Sequence, residues 1–599
     1  MSIYSNNKAF SQKHTSGTPS DHYESVTGRV PRRSKFNLSH SLKTSFNAGR
    51  LVPILCKEVL PGDTFNVSIE ELCRLSTPIN PTMDTIHLEY DAFFVPNRVA
   101  LDNIVNNAAG GAPAPQLNLG QNHWKVFMGE QMGGLSNPTT AYVQYEAPTR
   151  LPFFQGQPNP TDTPSKVNRG SLLDLLYGIP SHHTFHPSIS QPFHQIHSLK
   201  WFGYIDIWNH WYRDQNTQNF LNKFYTMNYT TDPAYSPLNP VVTVYGDFSE
   251  NNSPITPDTM RVNGKPFVLC KKHDYFTSCL PLSWRPISGH LEDYRLPIWL
   301  RNEAYPINNF AQTMSTLGRS IAGSAPPATT INLASQPVNI AQAIRTIMAL
   351  NVYSETEARF GTLYDQSIFA HFGLSVSEYR LDYPEFLGSY NTTIGMCQVP
   401  QTSSSDNESP QGNLAAFGMS NKKGFLFNKT FTEHGHVFIM VSARIRQSYQ
   451  NGIERENFRG STRLDYYSPE FRHLTMQPIS RNEIYSVGSN DNTDGTIFGW
   501  QDSWQDYRAW PNRITGQMRS LAPNEVGTSL DEWHYAENFT DGNVYYNYAF
   551  IMDNSERLIN RTLAVDSSIE DQFKLDIRFI IEAYREIPHD GTPKYADHI

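Results

Sequence analysis

Residues 436–445 alternate strictly between two faces. Val437, Ile439, Val441, Ala443 and Ile445 fall on one side, and His436, Phe438, Met440, Ser442 and Arg444 on the other. A period of two is that of a strand. The second side begins apolar and turns basic at Arg444 and Arg446, so this strand is expected to leave a covered region and end near solvent or an anionic partner. Asn451-Gly452 follows, a pair that tolerates the positive φ of tight hairpin turns, and it predicts a reversal there. Two further stretches alternate as cleanly. Ile86, Leu88, Tyr90, Ala92 and Phe94 define a strand over 85–95, stopped by Pro96, and Phe573, Leu575, Ile577, Phe579, Ile581 and Ala583 define one with a single buried face. Pairing of the last strand with those at 85 and 436 would make a sandwich of high contact order. Shorter strands over 52–60 and 64–69 flank a turn at Pro61-Gly62-Asp63.

Helical spacing is sparser. Residues 171–177 predict a short helix closed by Pro180. Trp201, Ile205, Trp208 and Trp211 or Tyr212 share a helix face, read as a packing face in preference to a base-stacking platform. Over 338–350 the positions Ile340, Ala343, Ile344, Ile347 and Met348 recur helically. A second helix opens on the capping-box pair Ser354 and Glu357, presents Phe360, Leu363, Tyr364 and Ile368, and stops at Gly373. Together 338–373 reads as a helical hairpin decorating a β framework. Gly, Pro, Asn and Gln over 106–164 indicate long surface loops. The stretch 222–270, rich in Asn, Thr, Pro and Ser with a turn at Asn263-Gly264, reads as a surface insertion of the kind that meets partners.

Composition agrees with strands and turns: 599 residues, 39% hydrophobic, 13% aromatic, 18% charged, with 40 Pro and 36 Gly. The expected organisation is an arm over 1–50, polar and then basic, and one domain over 51–599. A net charge of −9 argues against a protein that coats nucleic acid unaided, so any DNA contact must be local. The local candidates are Arg29, Arg32, Arg33, Lys35 and Lys43, with Arg50, interleaved with Phe36 and Phe46 as phosphate pairing and base stacking require. The plainer reading, a solvated arm lying over neighbouring subunits, carries more weight. Cys56, Cys73, Cys270, Cys279 and Cys397 are scattered without a Cys-x-x-Cys pair, as expected of free thiols in a reducing compartment. No signal-peptide core or membrane-length apolar run occurs, so a soluble, unexported protein is expected.

The chain carries no phosphate-binding Gly-rich loop, nucleophile elbow or His-Glu-x-x-His. His182, His183, His186, His194 and His197 lack metal-ligand spacing and read as loop and interface histidines. Asn490, Asn492, Asp494 and Gly495 imitate half a calcium loop, but Gln501 stands where its bidentate Glu belongs, which favours an Asx turn. Carboxylate pairs such as Asp571 with Asp576 or Glu454 with Glu456 indicate no glycoside chemistry without a cleft. Trp500, Trp504 and Trp510 suit either a carbohydrate platform or, preferably, aromatic anchors in a core or between subunits. Catalytic residues, cofactors and metal ligands are therefore expected to be absent.

One resemblance spans most of the chain. Phe46-Asn47-Ala48-Gly49-Arg50, Pro61-Gly62-Asp63, Ser76-Thr77-Pro78-Ile79 and Ala92-Phe93-Phe94-Val95-Pro96-Asn97-Arg98 open it. Trp211-Tyr212-Arg213-Asp214-Gln215-Asn216, His273-Asp274-Tyr275-Phe276-Thr277-Ser278, Ala370-His371-Phe372-Gly373 and Pro384-Glu385-Phe386-Leu387-Gly388 continue it. Gly412-Asn413-Leu414-Ala415, Gln450-Asn451-Gly452-Ile453-Glu454-Arg455 and Asp465-Tyr466-Tyr467 complete it. In order and spread these strings resemble the major capsid proteins of gokushoviruses, microviruses with circular single-stranded DNA that infect bacteria. The resemblance implies an all-β, eight-stranded antiparallel jelly roll with very long inserted loops and a few helices, self-assembled into an icosahedral shell around the genome. It implies a threefold protrusion, by chain order 222–270, that meets an unidentified host-surface receptor. It also implies a small basic DNA-binding phage protein, a pilot or minor capsid protein, and assembly in the host cytoplasm. Arg444, Arg446, Arg455, Arg459 and Arg463 then become interface or interior-surface charges. The competing class is a carbohydrate-binding or carbohydrate-cleaving β-sandwich, disfavoured by the missing signal peptide.

Overall fold

The computed structural model describes residues 33–101, 104–106, 153–154, 165–182, 184–185, 196–218, 221, 223–225, 264–281, 356, 383–400, 414–460, 462–472, 476–486, 496–521, 525–539, 544–587 and 589. Nine strands form one sheet: β1 (Ser34–Asn37), β2 (His40–Phe46), β3 (Val52–Val59), β4 (Thr64–Leu75), β5 (Ile86–Pro96), β6 (Glu385–Pro400), β7 (Leu414–Thr430), β8 (Gly435–Ile445) and β9 (Phe573–Arg585). The order is β1-β9-β4-β7-β6-β5-β8-β3, with β2 also on β9, and every pairing is antiparallel. β2 lies against Phe573 to Phe579 and β1 against Glu582 to Arg585, so the two are successive segments of one edge. The sheet has nine strands where eight are expected.

The sheet folds back on itself at β6 and β7. Near its start β6 pairs with β5 as far as Ile394, then with β7 from Gly395; β7 leaves β6 at Met419 and follows β4. The two long strands thus separate into facing layers, β2-β9-β4-β7 and β3-β8-β5-β6. Between the layers lies the principal core, with Val67, Ile69, Leu88, Tyr90, Ile439, Val441, Ile577 and Phe579 all at most 1% exposed. This curled antiparallel sandwich, with open edges at β1/β2 and β3, has the form of a jelly roll.

Two expectations about strand environment change. β9 pairs with β4, β1 and β2 and meets β5 and β8 only across the core, because the sheet places them in opposite layers. β8 is buried on both faces. Phe438 and Met440 enter a second core beneath α1 (Leu172–Tyr177) and α2 (Leu199–Ile207), against Trp201, Phe202 and Ile205. Gly203 permits the approach, since a Cβ there would lie 2.8 Å from Phe438 Cζ. α1 is capped by Ser171 and ends at left-handed Gly178, two residues before the expected stop at Pro180.

The turn at Pro61-Gly62-Asp63 forms as expected: Gly62 has φ +93°, and buried Asp63 accepts from the Leu60 amide at 2.9 Å. Asn451-Gly452 makes no hairpin. The Asn451 carboxamide joins Asn538 and Phe539, and a Cβ at 452 would lie 1.9 Å from the Glu483 carbonyl oxygen, so glycine serves close packing. A third core of Tyr275, Phe276, Ile479, Ile484, Phe498 and Phe550 holds the long connections together. The 338–373 hairpin apart from residue 356, residues 226–263 of the insertion, and the loops over 107–152 lie outside the described residues. The last part of the 222–270 stretch joins the framework where Leu269 donates to Gly49. Among the described residues no helix is long and apolar enough to cross a membrane.

Candidate assembly and genome-facing surfaces

The edge made by β1 and β2 carries three of the five basic residues proposed from sequence. Lys35 pairs with Glu582 at 2.9 Å, and that hydrogen bond holds its ammonium above the usual range. Lys43 stands opposite Asp576 in the ladder and pairs with it, and Arg33 lies 3.6 Å from Glu586. All are solvent-facing, where such pairs are screened by water and exchange readily with other ions. Arg29 and Arg32 lie outside the described residues. Sequence reading missed Arg74, which stands directly opposite Lys574 on the exposed face of the same layer. Like charges in register are unfavourable unless an anion lies nearby, and Lys574 has Glu570.

The basic end of β8 differs from expectation. Arg444 is largely buried and pairs with Glu89 of β5, which Lys272 also grips, while its other nitrogen donates to the Cys270 carbonyl at 3.4 Å. Burial opposes ionisation of Glu89, but Arg444 and Lys272 outweigh it and hold the carboxyl below its usual range. Arg444 is therefore an internal clamp between β8, β5 and the 264–281 segment, not a shell-surface charge. Arg455 donates to the Pro478 carbonyl at 2.8 Å and approaches Glu483 at 3.5 Å, and Arg459 pairs with Asp506, so both tie loops together. Arg446 and Arg463 are exposed.

Of the histidine group, His183, His186 and His194 lie outside the described residues. His197 and His436 face each other with ring centroids 5.7 Å apart, and His436 Nδ1 shares a hydrogen bond with Asn97 Oδ1 at 3.1 Å. Burial, reinforced by His197 and Lys200, pushes the His436 imidazole down to about 3. Among the described residues no cluster of His, Cys, Asp and Glu is arranged to hold a metal. Residues 487–495, which carry the calcium-loop imitation, lie outside them; Gln501 donates to the Tyr275 carbonyl. A surface cavity of about 360 Å³ between Gly49 and Asn560 is lined in part by the Arg50–Glu556 pair, 2.9 Å apart.

The tryptophans divide. Trp500 pairs by its backbone with Leu280. Trp504 belongs to an aromatic group in which Tyr467 lies 5.6 Å from Trp504 and 6.5 Å from Tyr507, both tyrosines facing outward. The Arg459 guanidinium sits 4.3 Å from the Tyr507 ring centroid. Trp510 is 85% exposed.

Comparison with known proteins agrees with the architecture along nearly its whole length. The profile of a family described as capsid protein (F protein) matches residues 25–119 and 176–595. The capsid protein VP1 of Chlamydia phage 1 is 30% identical, covering 95% of this chain and 97% of that protein. The VP1 of Bdellovibrio phage phiMH2K is 31% identical over 85% of this chain and 86% of its own. That of Spiroplasma virus 4 is 28% identical over 94% and 95%. With all nine strands of the sandwich inside the matched ranges, the chain belongs to the phage capsid protein (F protein) family.

Proposed function

We propose that the protein is the structural shell subunit of a small single-stranded-DNA phage, acting by self-association into an icosahedral capsid and not by catalysis. The observation that carries this reading is the match to capsid proteins across both layers of the sandwich. The shell encloses the genome, and the arm supplies local positive charge through Arg29, Arg32, Arg33, Lys35 and Lys43. In support, the described three sit on an exposed edge in solvent-accessible pairs that phosphate can replace. The overall acidic balance leaves bulk neutralisation to a separate small basic phage protein, with a pilot or minor capsid protein as further partner. Assembly takes place in the bacterial cytoplasm. The 222–270 insertion reaches outward to a host-surface receptor. Sedimentation of the expressed protein, alone and with its phage partners, tests the reading: fast-sedimenting closed particles are expected, and monomers under every assembly condition would overturn it.

A further inference from the structure

We infer that the aromatic group around Trp510 is a subunit-to-subunit contact, buried by a second copy of this chain when the shell closes. The inference rests on the shell reading and adds the place where copies meet. Tyr466, Tyr467, Tyr507 and Trp510 are 52%, 47%, 49% and 85% exposed, and Tyr467 and Tyr507 pack around Trp504. Trp510 is tied to this group through Asp506, the neighbour of Tyr507, whose carbonyl accepts from its indole. Large rings left this open mark an interaction surface, and Trp, Tyr and Arg are the residues that dominate protein interfaces.

The group is built in advance of binding. Trp504 has φ +64°, the sole non-glycine residue in the left-handed region among the described residues. For a bulky side chain that backbone is strained, and strain of this kind gathers at functional surfaces. The Trp504 indole donates to the Phe471 carbonyl at 3.4 Å and anchors Tyr467 and Tyr507 around it, while the Trp510 indole donates to the Asp506 carbonyl at 3.0 Å and leaves its ring exposed. Thr462 and Asp465 cap each other beneath Tyr466. Rigid aromatics lose little conformational freedom on docking.

Charge selects the occupant. A nucleic-acid platform pairs stacked rings with a cation available to phosphate. Here the cation against the rings, Arg459, is neutralised by Asp506 and only 12% exposed. Arg508, the exposed cation next to Tyr507, is likewise paired, with Asp502 at 3.7 Å. Preorganised rings beside charges already matched by anions suit another protein surface, and a capsid-family chain meets copies of itself on several sides.

Hydroxyl-radical footprinting of wild-type empty particles, DNA-filled particles and dissociated subunits provides the test, with Trp510→Ala as a second arm. Oxidation of Trp510, Tyr467 and Tyr507 is expected to fall by about tenfold in both particle types relative to subunits. Trp510→Ala is expected to lower particle yield by about tenfold, the scale of one interface hot spot, with an unchanged melting curve for the subunit. Equal oxidation in particles and subunits overturns the inference. So does protection confined to DNA-filled particles, which would make the surface a genome contact. Failure of the wild type to form any particle would instead overturn the shell reading beneath it.

Discussion

Arg444 on β8 closes on Glu89 of β5 from 355 residues away along the chain, with both side chains at most 15% exposed. Their strands are neighbours in the ladder, and Lys272 reaches the same carboxylate from a long connection. The pair thus fastens loop to sandwich where the sheet meets the second layer of packing. Removing Glu89 would leave the buried Arg444 charge without its partner, whereas removing Arg444 leaves Glu89 paired with Lys272. Glu89→Leu is expected to lower subunit stability by about 3–5 kcal/mol, and Arg444→Met with Glu89→Leu by much less. Urea unfolding of the unassembled subunit distinguishes the two, and equal losses would contradict the clamp.

Acid should weaken the subunit through His436. Its folded pKa is lowered to about 3, against about 6.5 unfolded, so the unfolded chain binds the proton first. Stability from this group is complete above about pH 6.5 and falls as pH drops below it, by up to about 1.4 kcal/mol per pH unit. His197, also lowered by burial and by Lys200, adds in the same direction. His436→Gln should flatten the slope between about pH 6.5 and 5 in thermal melts.

Gly452→Ala should destabilise the subunit although its backbone is unstrained. The added methyl would meet the Glu483 carbonyl at 1.9 Å, and the turn must shift. Overpacking of this kind costs about 1–3 kcal/mol, which a shift in the urea midpoint would register.

Thiol reactivity should single out one residue. Cys56, Cys73 and Cys279 are buried, Cys270 is partly covered, and Cys397 is exposed. Burial pushes the Cys56 and Cys270 thiols up to about 12, which removes the reactive thiolate near neutral pH. Labelling the native subunit with a thiol reagent should modify Cys397 rapidly and the others only on unfolding; fast labelling of Cys56 would contradict the packing.

The strands at β5, β8 and β9 were legible because their core-facing positions alternate without a break, and each such residue is buried. β6 and β7, which close the sandwich, were not recognised. Their centres read Asn391-Thr392-Thr393 and Asn421-Lys422-Lys423, and four glycines interrupt them, so composition suggests loops. At Gly424 the Tyr390 ring of β6 lies 2.2 Å from where a Cβ would stand, a constraint set by a strand to which this part of β7 is not paired. Arg444 shows the same limit at the level of sites. Its basic character was visible, but nothing near it in sequence announces Glu89. Likewise Asn451-Gly452 carries a turn signature that tertiary packing overrides.

The central claim is that this jelly roll builds a closed shell from copies of itself. Electron cryomicroscopy of particles from the expressed protein tests it most directly. The account predicts an isometric map with icosahedral symmetry, the β2-β9-β4-β7 and β3-β8-β5-β6 layers fitted in every subunit, and density from a neighbouring copy over Trp510. A population containing only monomers or open aggregates, across all ionic conditions and with the phage partners present, would contradict it.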